Sequence, residues 1–407
     1  MTREREILRW LDGQRAAETA FLAELVKAPS DNPPGDCAPA AERAAALLEG
    51  LGFAVERHTV PKALVRDNGM VSATNLVVRR RFGPGPVVAL NAHGDVVPPG
   101  EGWTVDPYGA VIRDGWMYGR GVAVSKSDFA TYAFALKALE AAGHERGTVE
   151  LHFTYDEEVG GAIGPAWLLA QELTKPDFAV SAGFSYAITT AHNGCLHLEV
   201  SVRGKSAHAA KPETGHDALA AATKILAALY ALRPGLARVV SKTPGIGSPN
   251  LTVGLIKGGI NTNVVPDLVT FRLDRRIVPE EKPPEVEAAL IRAIEAAAEG
   301  LPGISVAVRR VLLAEPLVPR AGTDAIVAAL KRRAREILGE DIAAGGVPLY
   351  TDARHYSAAG IPTVLYGAGP RTLEEANAHR ADERLKLDDL YKATKIVALA
   401  LVDLLHS

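Results

Sequence analysis

Apolar residues recur at helical spacing through the opening segment, Glu4 to Lys27, at Ile7, Leu8, Leu11, Ala17, Phe21, Leu22, Leu25 and Val26. The stretch PSDNPPGD, with three prolines and a glycine, ends that helix. A second helix is predicted from Ala38 to Leu51, stopped by Gly52. The period then changes. ATNLVVRRR and PVVALNAHGD read as strands, and VVALNA is apolar and partly β-branched, as a buried strand would be. An alanine-rich helix over Phe129 to Ala142 and a further strand, TVELHFTYDEE, follow. This alternation predicts an α/β sheet covered by helices.

The texture shifts near His192. From Cys195 the order reads strand (CLHLEVSVRG), helix (HDALAAATKILAALYAL), strand (NLTVGLIKGG), strand (VVPDLVTFRLDRRI), helix (PPEVEAALIRAIEAAAEG) and strand (ISVAVRRVLL). That is a ferredoxin-like β-α-β-β-α-β unit. The α/β pattern resumes with a helix from Thr323 to Leu338, the strand PTVLYGAG and a last helix from Asp388. The reading is a larger α/β domain made of residues 1–193 and 314–407, with residues 194–313 inserted as a smaller domain.

A chain of 407 residues suits two domains. With 47% hydrophobic and 23% charged residues, its usage is that of a globular protein. A net charge of −3 points away from nucleic acid or a membrane surface as partner, and leaves room for a small polar or anionic substrate. The two cysteines, Cys37 and Cys195, have neither disulfide-framework nor zinc-ribbon spacing and read as small buried or half-buried thiols. The start, MTREREILRWLDGQ, lacks the apolar core of a secretory signal. No uninterrupted apolar run reaches the roughly 18 residues of a membrane span, so a cytoplasmic location is expected.

Three clusters carry candidate chemistry. In Asn91-Ala92-His93-Gly94-Asp95, at a strand end, the imidazole can bind a metal while the carboxylate fixes its tautomer; a solvated turn is the plainer alternative. In Tyr155-Asp156-Glu157-Glu158-Val159-Gly160-Gly161, three adjacent acids at the end of an apolar strand are costly unless a positive charge sits among them. A metal supplies that charge, with one carboxylate a ligand and its neighbour a general base. The alternative is an acidic helix start. The third cluster, Ala378-His379-Arg380-Ala381-Asp382-Glu383, follows the YGAGP turn and reads otherwise as a charged surface loop.

Taken together, these clusters and their context resemble the M20 family of metallopeptidases and amidohydrolases, which includes aminoacylases, carboxypeptidase G2-like enzymes, acetylornithine deacetylase and succinyl-diaminopimelate desuccinylase. The resemblance runs over nearly the whole chain, through PSDNPPGD, HGDVVPPG, WTVDPY, YGRG, DEEVGG, GKSAHAAKPETG, GGINTNVVPD, TDARHY, GIPTVLYGAGP and AHRADE. It implies a helix-covered mixed-sheet catalytic domain with an inserted lid and dimerisation domain, and a homodimer formed through that lid. It implies that His93, Glu158 and His379 are metal ligands, that Asp95 orients His93, and that Glu157 is the general base and then the acid for the leaving amine. It further implies that His208 stabilises the tetrahedral oxyanion, that Asn263 and Arg276 bind a substrate carboxylate, and that Gly367 to Gly369 shape the pocket floor.

The chain departs from the family pattern at two ligands. The family stretch Gly-Arg-Gly-x-x-Asp has Val124 where its metal-bridging aspartate stands, and the acid-bearing stretch ten residues before His192 has Ala182 at the acid position. What remains, two imidazoles and a carboxylate, is a three-ligand set for a catalytic zinc. The expectation is therefore one divalent ion per chain rather than two, with Zn2+ first and Mn2+ or Co2+ as alternatives. Asp128, four residues after Val124 on a predicted helix, is a candidate replacement ligand. The activity expected is hydrolysis of a C–N bond, amide or peptide, in a small carboxylate-bearing compound. Two alternatives accompany it: hydrolytic deamination of an aryl amine, and a catalytically silent binding protein. Among the remaining histidines, His192 and His355 flank family motifs and are candidates to line the cleft, whereas His152, His197 and His216 carry no assigned role.

Overall fold

A computed structural model describes residues 3–406. The chain divides into two compact units: Met1–Thr190, Pro319–Gly345 and Thr351–Ser407 form the first, and Ala191–Val318 with Gly346–Tyr350 form the second.

The first unit is built on an eight-stranded mixed sheet. Its strands run in the spatial order Val55–Thr59, Thr74–Arg81, Thr148–Thr154, Val87–His93, Phe178–Ser181, Thr363–Leu365, Ala187–His192, Ala343–Val347. The four central neighbours, from Thr148–Thr154 to Thr363–Leu365, are parallel, and the strands flanking them on one side are antiparallel. Val87–His93 lies at the middle of this arrangement, which is why its sequence is apolar on both faces. The helix Lys126–Ala141 is buried almost all round, between the strands and the helices Arg3–Val26 and Leu387–Leu404. Its alanines permit that close approach, and Phe129 stacks on Phe153 of the sheet with ring centroids 3.8 Å apart. Beside the main sheet, Val111–Arg113, Trp116–Tyr118 and Arg384–Lys386 make a small three-stranded sheet that the sequence pattern did not predict.

The second unit is a four-stranded antiparallel sheet in the order Asn250–Gly258, Leu268–Ile277, Gly194–Arg203, Ser305–Ala314. The helices Ala218–Ala231 and Pro283–Ala298 cover one face. Leu196, Leu198, Val200 and Val202 alternate inward to that helical layer, and their neighbours in sequence point to the open face. The stretch Ala218–Ala237 is apolar and long enough, at a mean hydropathy of 1.2, to cross a membrane by length and composition. Its stripe of Ala218, Ala221, Ala222, Ile225 and Leu229 is buried within the unit, as in a sheet-covering helix.

Candidate active site

Parallel strands deliver the chain to one edge of the sheet, and the first unit's candidate residues gather there. His93 is the last residue of Val87–His93, and Glu157 and Glu158 begin the turn that follows Thr148–Thr154. Register pairs His93 with Thr154 across the two strands, so both ends finish level. The backbone of His93 is clamped by Ser125, whose Oγ accepts its N–H at 3.1 Å and lies 3.0 Å from its carbonyl.

Asp95 organises the cluster. Its carboxylate, fully buried, accepts the backbone N–H of Glu157 at 3.2 Å and of Glu158 at 3.1 Å, and the side-chain amide of Asn32 at 2.9 Å. Asn32 is held in turn because its N–H donates to the Val96 carbonyl at 2.8 Å, so PSDNPPGD forms a wall against the Asp95 segment. His93 Nδ1 lies 3.0 Å from the Asp95 carbonyl oxygen and 3.4 Å from Asp95 Oδ1. Those acceptors call for a proton on Nδ1 and turn Nε2 toward the glutamates.

Ligand atoms of His93, Glu157 and Glu158 all lie within 4.8 Å of one another. His379 joins through Glu158, its Nε2 3.5 Å from Glu158 Oε1, and His93 Nε2 is 4.0 Å from Glu157 Oε2. Two ligand atoms on a tetrahedral zinc lie about 3.3 Å apart for nitrogen and oxygen. The His379–Glu158 pair fits that spacing, and the Glu157 pair is looser. His379 is half exposed on a loop in which Asn377, His379 and Asp382 all have positive φ. The loop is tied down by Arg120, almost wholly buried, which pairs with Glu383 at 2.6 Å and donates to the carbonyl of Arg380 at 3.2 Å. Glu383 also accepts the N–H groups of Ala123 and Val124, at 3.0 and 3.2 Å.

Further acids surround this cluster. Burial, with the neighbouring Glu157 adding repulsion, pushes Asp352 up to about 8 despite His93 and Arg354. Burial likewise raises Glu157 to about 8 against the opposing pull of His93, and raises Asp156 well above the carboxylate range, with Asp352 and Asp95 contributing. Burial disfavours a charged His93, yet the hydrogen bond to Asp95 and the carboxylates of Glu157, Asp95 and Glu158 outweigh it and raise the ring's pKa well above its usual value. So many buried acids around one imidazole are a demand for a cation. Asp352 was missed by sequence reasoning, and Asp156, named there among three adjacent acids, was given no role of its own. TDARHY carried the signal for Asp352, but a lone acid in a motif has no pattern of its own. A methyl group on Gly161, which has φ +67°, would lie 2.1 Å from Asp352 Oδ1, which accounts for the glycine of DEEVGG.

Asp128 is not among the converging ligand atoms, although His93 acts on its charge. Its Oδ1 accepts the N–H of Ala368 at 2.7 Å beneath Gly367, and burial raises it to about 7. Lys126 is buried too: its Nζ donates to the Ala28 carbonyl at 2.8 Å, and burial lowers it to about 8. The two departures from the family pattern flank the His93 strand. Val124 precedes Ser125, and the N–H of Ala182 donates to the Asn91 carbonyl at 2.8 Å.

The second unit brings His208 and Asn263 together. Ala207–His208 pairs with Val264–Val265, and the Asn263 carbonyl accepts the N–H of Ala209 at 2.9 Å. Both side chains are exposed. Arg276 pairs with Asp274 at 3.0 Å and lies over the Tyr350 ring. His192 is buried in this unit, its Nδ1 2.9 Å from the Asn193 carbonyl, whereas His355 is in the first unit, 3.1 Å from the Gly160 carbonyl.

The profile of peptidase family M20/M25/M40 matches residues 89–403. The chain belongs to the M20 family. An M20 assignment carries with it metal-dependent hydrolysis. Among relatives of this M20 enzyme, a succinyl-diaminopimelate desuccinylase of Bordetella petrii is 30% identical, covering 96% of this chain and 98% of its own. An acetylornithine deacetylase of Myxococcus xanthus is 28% identical, covering 89% and 91%. The M20 fold is shared with a dinuclear metal-binding peptidase of that family from Bacillus subtilis, at 18% identity, TM-score 0.70 and coverage of 97% and 99%.

Proposed function

We propose that this M20 hydrolase cleaves the amide bond of a small N-acyl compound bearing a free carboxylate, using one divalent ion per chain, Zn2+ first among candidates. The observation that carries the reading is the Asp95-organised cluster, in which His93, Glu157 and Glu158 converge and His379 closes on Glu158. The residues fit a cation: a His93 Nε2 turned toward the glutamates, excess buried carboxylate and near-tetrahedral spacing for His379 and Glu158. His93, Glu158 and His379 would hold it, with Asp128 kept as the alternative should the count prove to be two. When bound, such an ion supplies Lewis-acid polarisation of the scissile carbonyl and acidifies water.

The chain's own residues do the rest. Asp95 holds the His93 tautomer and both glutamate backbones. Glu157 takes the proton of the attacking water and returns it to the leaving nitrogen, a shuttle that its raised pKa suits. The looser distance from His93 to Glu157 supports a place for Glu157 beside the ion rather than on it. We assign oxyanion stabilisation to His208 and substrate-carboxylate binding to Asn263 and Arg276, supported by their family motifs. A homodimer formed by the inserted unit and a cytoplasmic location are further parts of this reading. Desuccinylase and deacetylase both name amide hydrolysis, so the aryl-amine deaminase and silent-binder readings find no support among the relatives.

The test is a panel of N-succinyl, N-acetyl and dipeptide substrates with added Zn2+, Mn2+ or Co2+, beside metal analysis of the purified chain. Amide hydrolysis that requires metal supports the proposal. Two tightly held ions at the His93 centre itself, or activity that survives loss of His379, would sink the single-ion form of it.

A further inference from the structure

The open face of the second unit's sheet carries a second convergence of ligating atoms. Cys195 and His197 stand two apart on Gly194–Arg203, and Asp274 and Arg276 stand two apart on Leu268–Ile277. The register sets Asp274 opposite His197 and Arg276 opposite Cys195. All four therefore point away from the helical layer. Cys195 Sγ lies 3.2 Å from His197 Nε2 and 3.4 Å from Asp274 Oδ2, and His197 Nε2 lies 2.8 Å from Asp274 Oδ2.

We propose that Cys195, His197 and Asp274 form a second divalent-cation site, suited to a zinc-like ion and separate from the centre at His93. On a tetrahedral zinc, ligand atoms of these three types lie about 3.3–3.6 Å apart. The Sγ, Nε2 and Oδ2 atoms reach that spacing with shifts of about half an ångström. A thiolate, an imidazole and a carboxylate make a mixed soft and borderline set that favours zinc over magnesium or calcium. The outer contacts also suit a metal. Arg276 Nε holds the other carboxylate oxygen, Asp274 Oδ1, at 3.0 Å and keeps Oδ2 facing Cys195 and His197. Cys195 is fully buried and gives the site its floor, while His197 and Asp274 are about a third and a quarter exposed and leave it a mouth. Binding releases the Cys195 thiol proton to solvent, and water completes the fourth position. The ion would clamp two adjacent strands and fix the carboxylate that holds Arg276. This inference does not depend on the proposed substrate.

The probe is Co2+, titrated into the metal-stripped full-length protein. The first centre contains no thiol, so a near-ultraviolet thiolate-to-cobalt absorption reports the second site alone. The band should be displaced by Zn2+, persist in Cys37→Ala, and in His379→Ala rise to an endpoint of one equivalent. It should vanish in Cys195→Ser, with one fewer ion bound per chain. His197→Gln and Asp274→Asn should each weaken the Co2+ affinity at least roughly tenfold. A wild-type protein without the band, or a folded Cys195→Ser protein that keeps it, overturns the proposal. Should Cys195→Ser not fold, unchanged Co2+ affinity in both His197→Gln and Asp274→Asn overturns it equally.

Discussion

The carboxylate of Asp95 accepts the backbone N–H of Glu158 at 3.1 Å while its own residue's carbonyl lies 3.0 Å from the ring of His93. One residue thus sets the positions of two others more than sixty places apart in the chain. Asp95→Asn keeps the shape but offers one acceptor oxygen where the two N–H groups of Glu157 and Glu158 and the Asn32 amide need more. The expected outcome is a roughly 10–100-fold loss of metal affinity. Competition against a chromophoric chelator measures it, and wild-type affinity in the variant would remove Asp95 from its organising role.

Glu157 and His379 should separate chemistry from binding. Glu157→Gln is expected to lose about 10²–10⁴ in kcat with its metal content intact. His379→Ala is expected to lose the ion of the first centre itself. A Glu157→Gln protein that is stripped of metal would show Glu157 to be a ligand, and the roles drawn above would have to be exchanged.

Val124 and Ala182 flank the His93 strand where the family pattern has acids. Restoring both, as Val124→Asp with Ala182→Glu, should add an ion. The expected stoichiometry at the first centre rises from one to two, read by elemental analysis in a Cys195→Ser background that leaves the second unit's site silent. An unchanged count would mean that the missing acids do not explain the reduced centre.

Arg120 and Glu383 are both about 1% exposed and paired at 2.6 Å. Arg120→Met leaves Glu383 buried without its cation, which costs about 3–5 kcal/mol of stability. It also frees the Arg380 carbonyl, so metal affinity at His379 should weaken along with the melting temperature. Denaturant unfolding and the chelator competition, run on the same preparation, test both halves.

Glu18 is sealed in the first unit's core with its carboxylate against Thr394, and burial raises it from 4.5 to about 8. Between those values the unfolded chain ionises while the folded chain keeps the proton. Its contribution to stability is therefore whole below about pH 4.5 and falls as pH rises to about 8, by up to roughly 1.4 kcal/mol per pH unit. Glu18→Gln cannot ionise, and its carbonyl still accepts from Thr394. The variant's stability should fall less steeply between pH 5 and pH 8 than the parent's, in unfolding curves collected across that range. Parallel slopes would contradict the raised pKa.

Much of this was legible in the sequence because the informative residues sit at the ends of strongly patterned elements. VVALNA announced a buried strand, and His93 and Asp95 follow from where it stops. DEE after an apolar strand announced the glutamates. Asp352, by contrast, stands just before the six-residue helix Ala353–Ala358, and its place against Gly161 is set by tertiary packing. Periodicity cannot see that. The three-residue strands Val111–Arg113, Trp116–Tyr118 and Arg384–Lys386 are too short for any period to register. Cys195 and His197 looked inert because their partner, Asp274, is supplied by register across a sheet rather than by spacing along the chain.

Three residues in the loop around His379, Asn377, His379 and Asp382, have φ of +49°, +61° and +55°. Asparagine, aspartate and histidine are the side chains that tolerate this conformation best after glycine. The consequence concerns drift rather than chemistry. Positions 377 and 382 are closed to valine, isoleucine and threonine whatever the substrate, because the backbone vetoes them. The alphabet at these two places should therefore stay narrow on backbone grounds alone, before the hydrogen bonds of Asn377 to the Asp382 carbonyl and of Thr104 to the Asp382 carboxylate are counted.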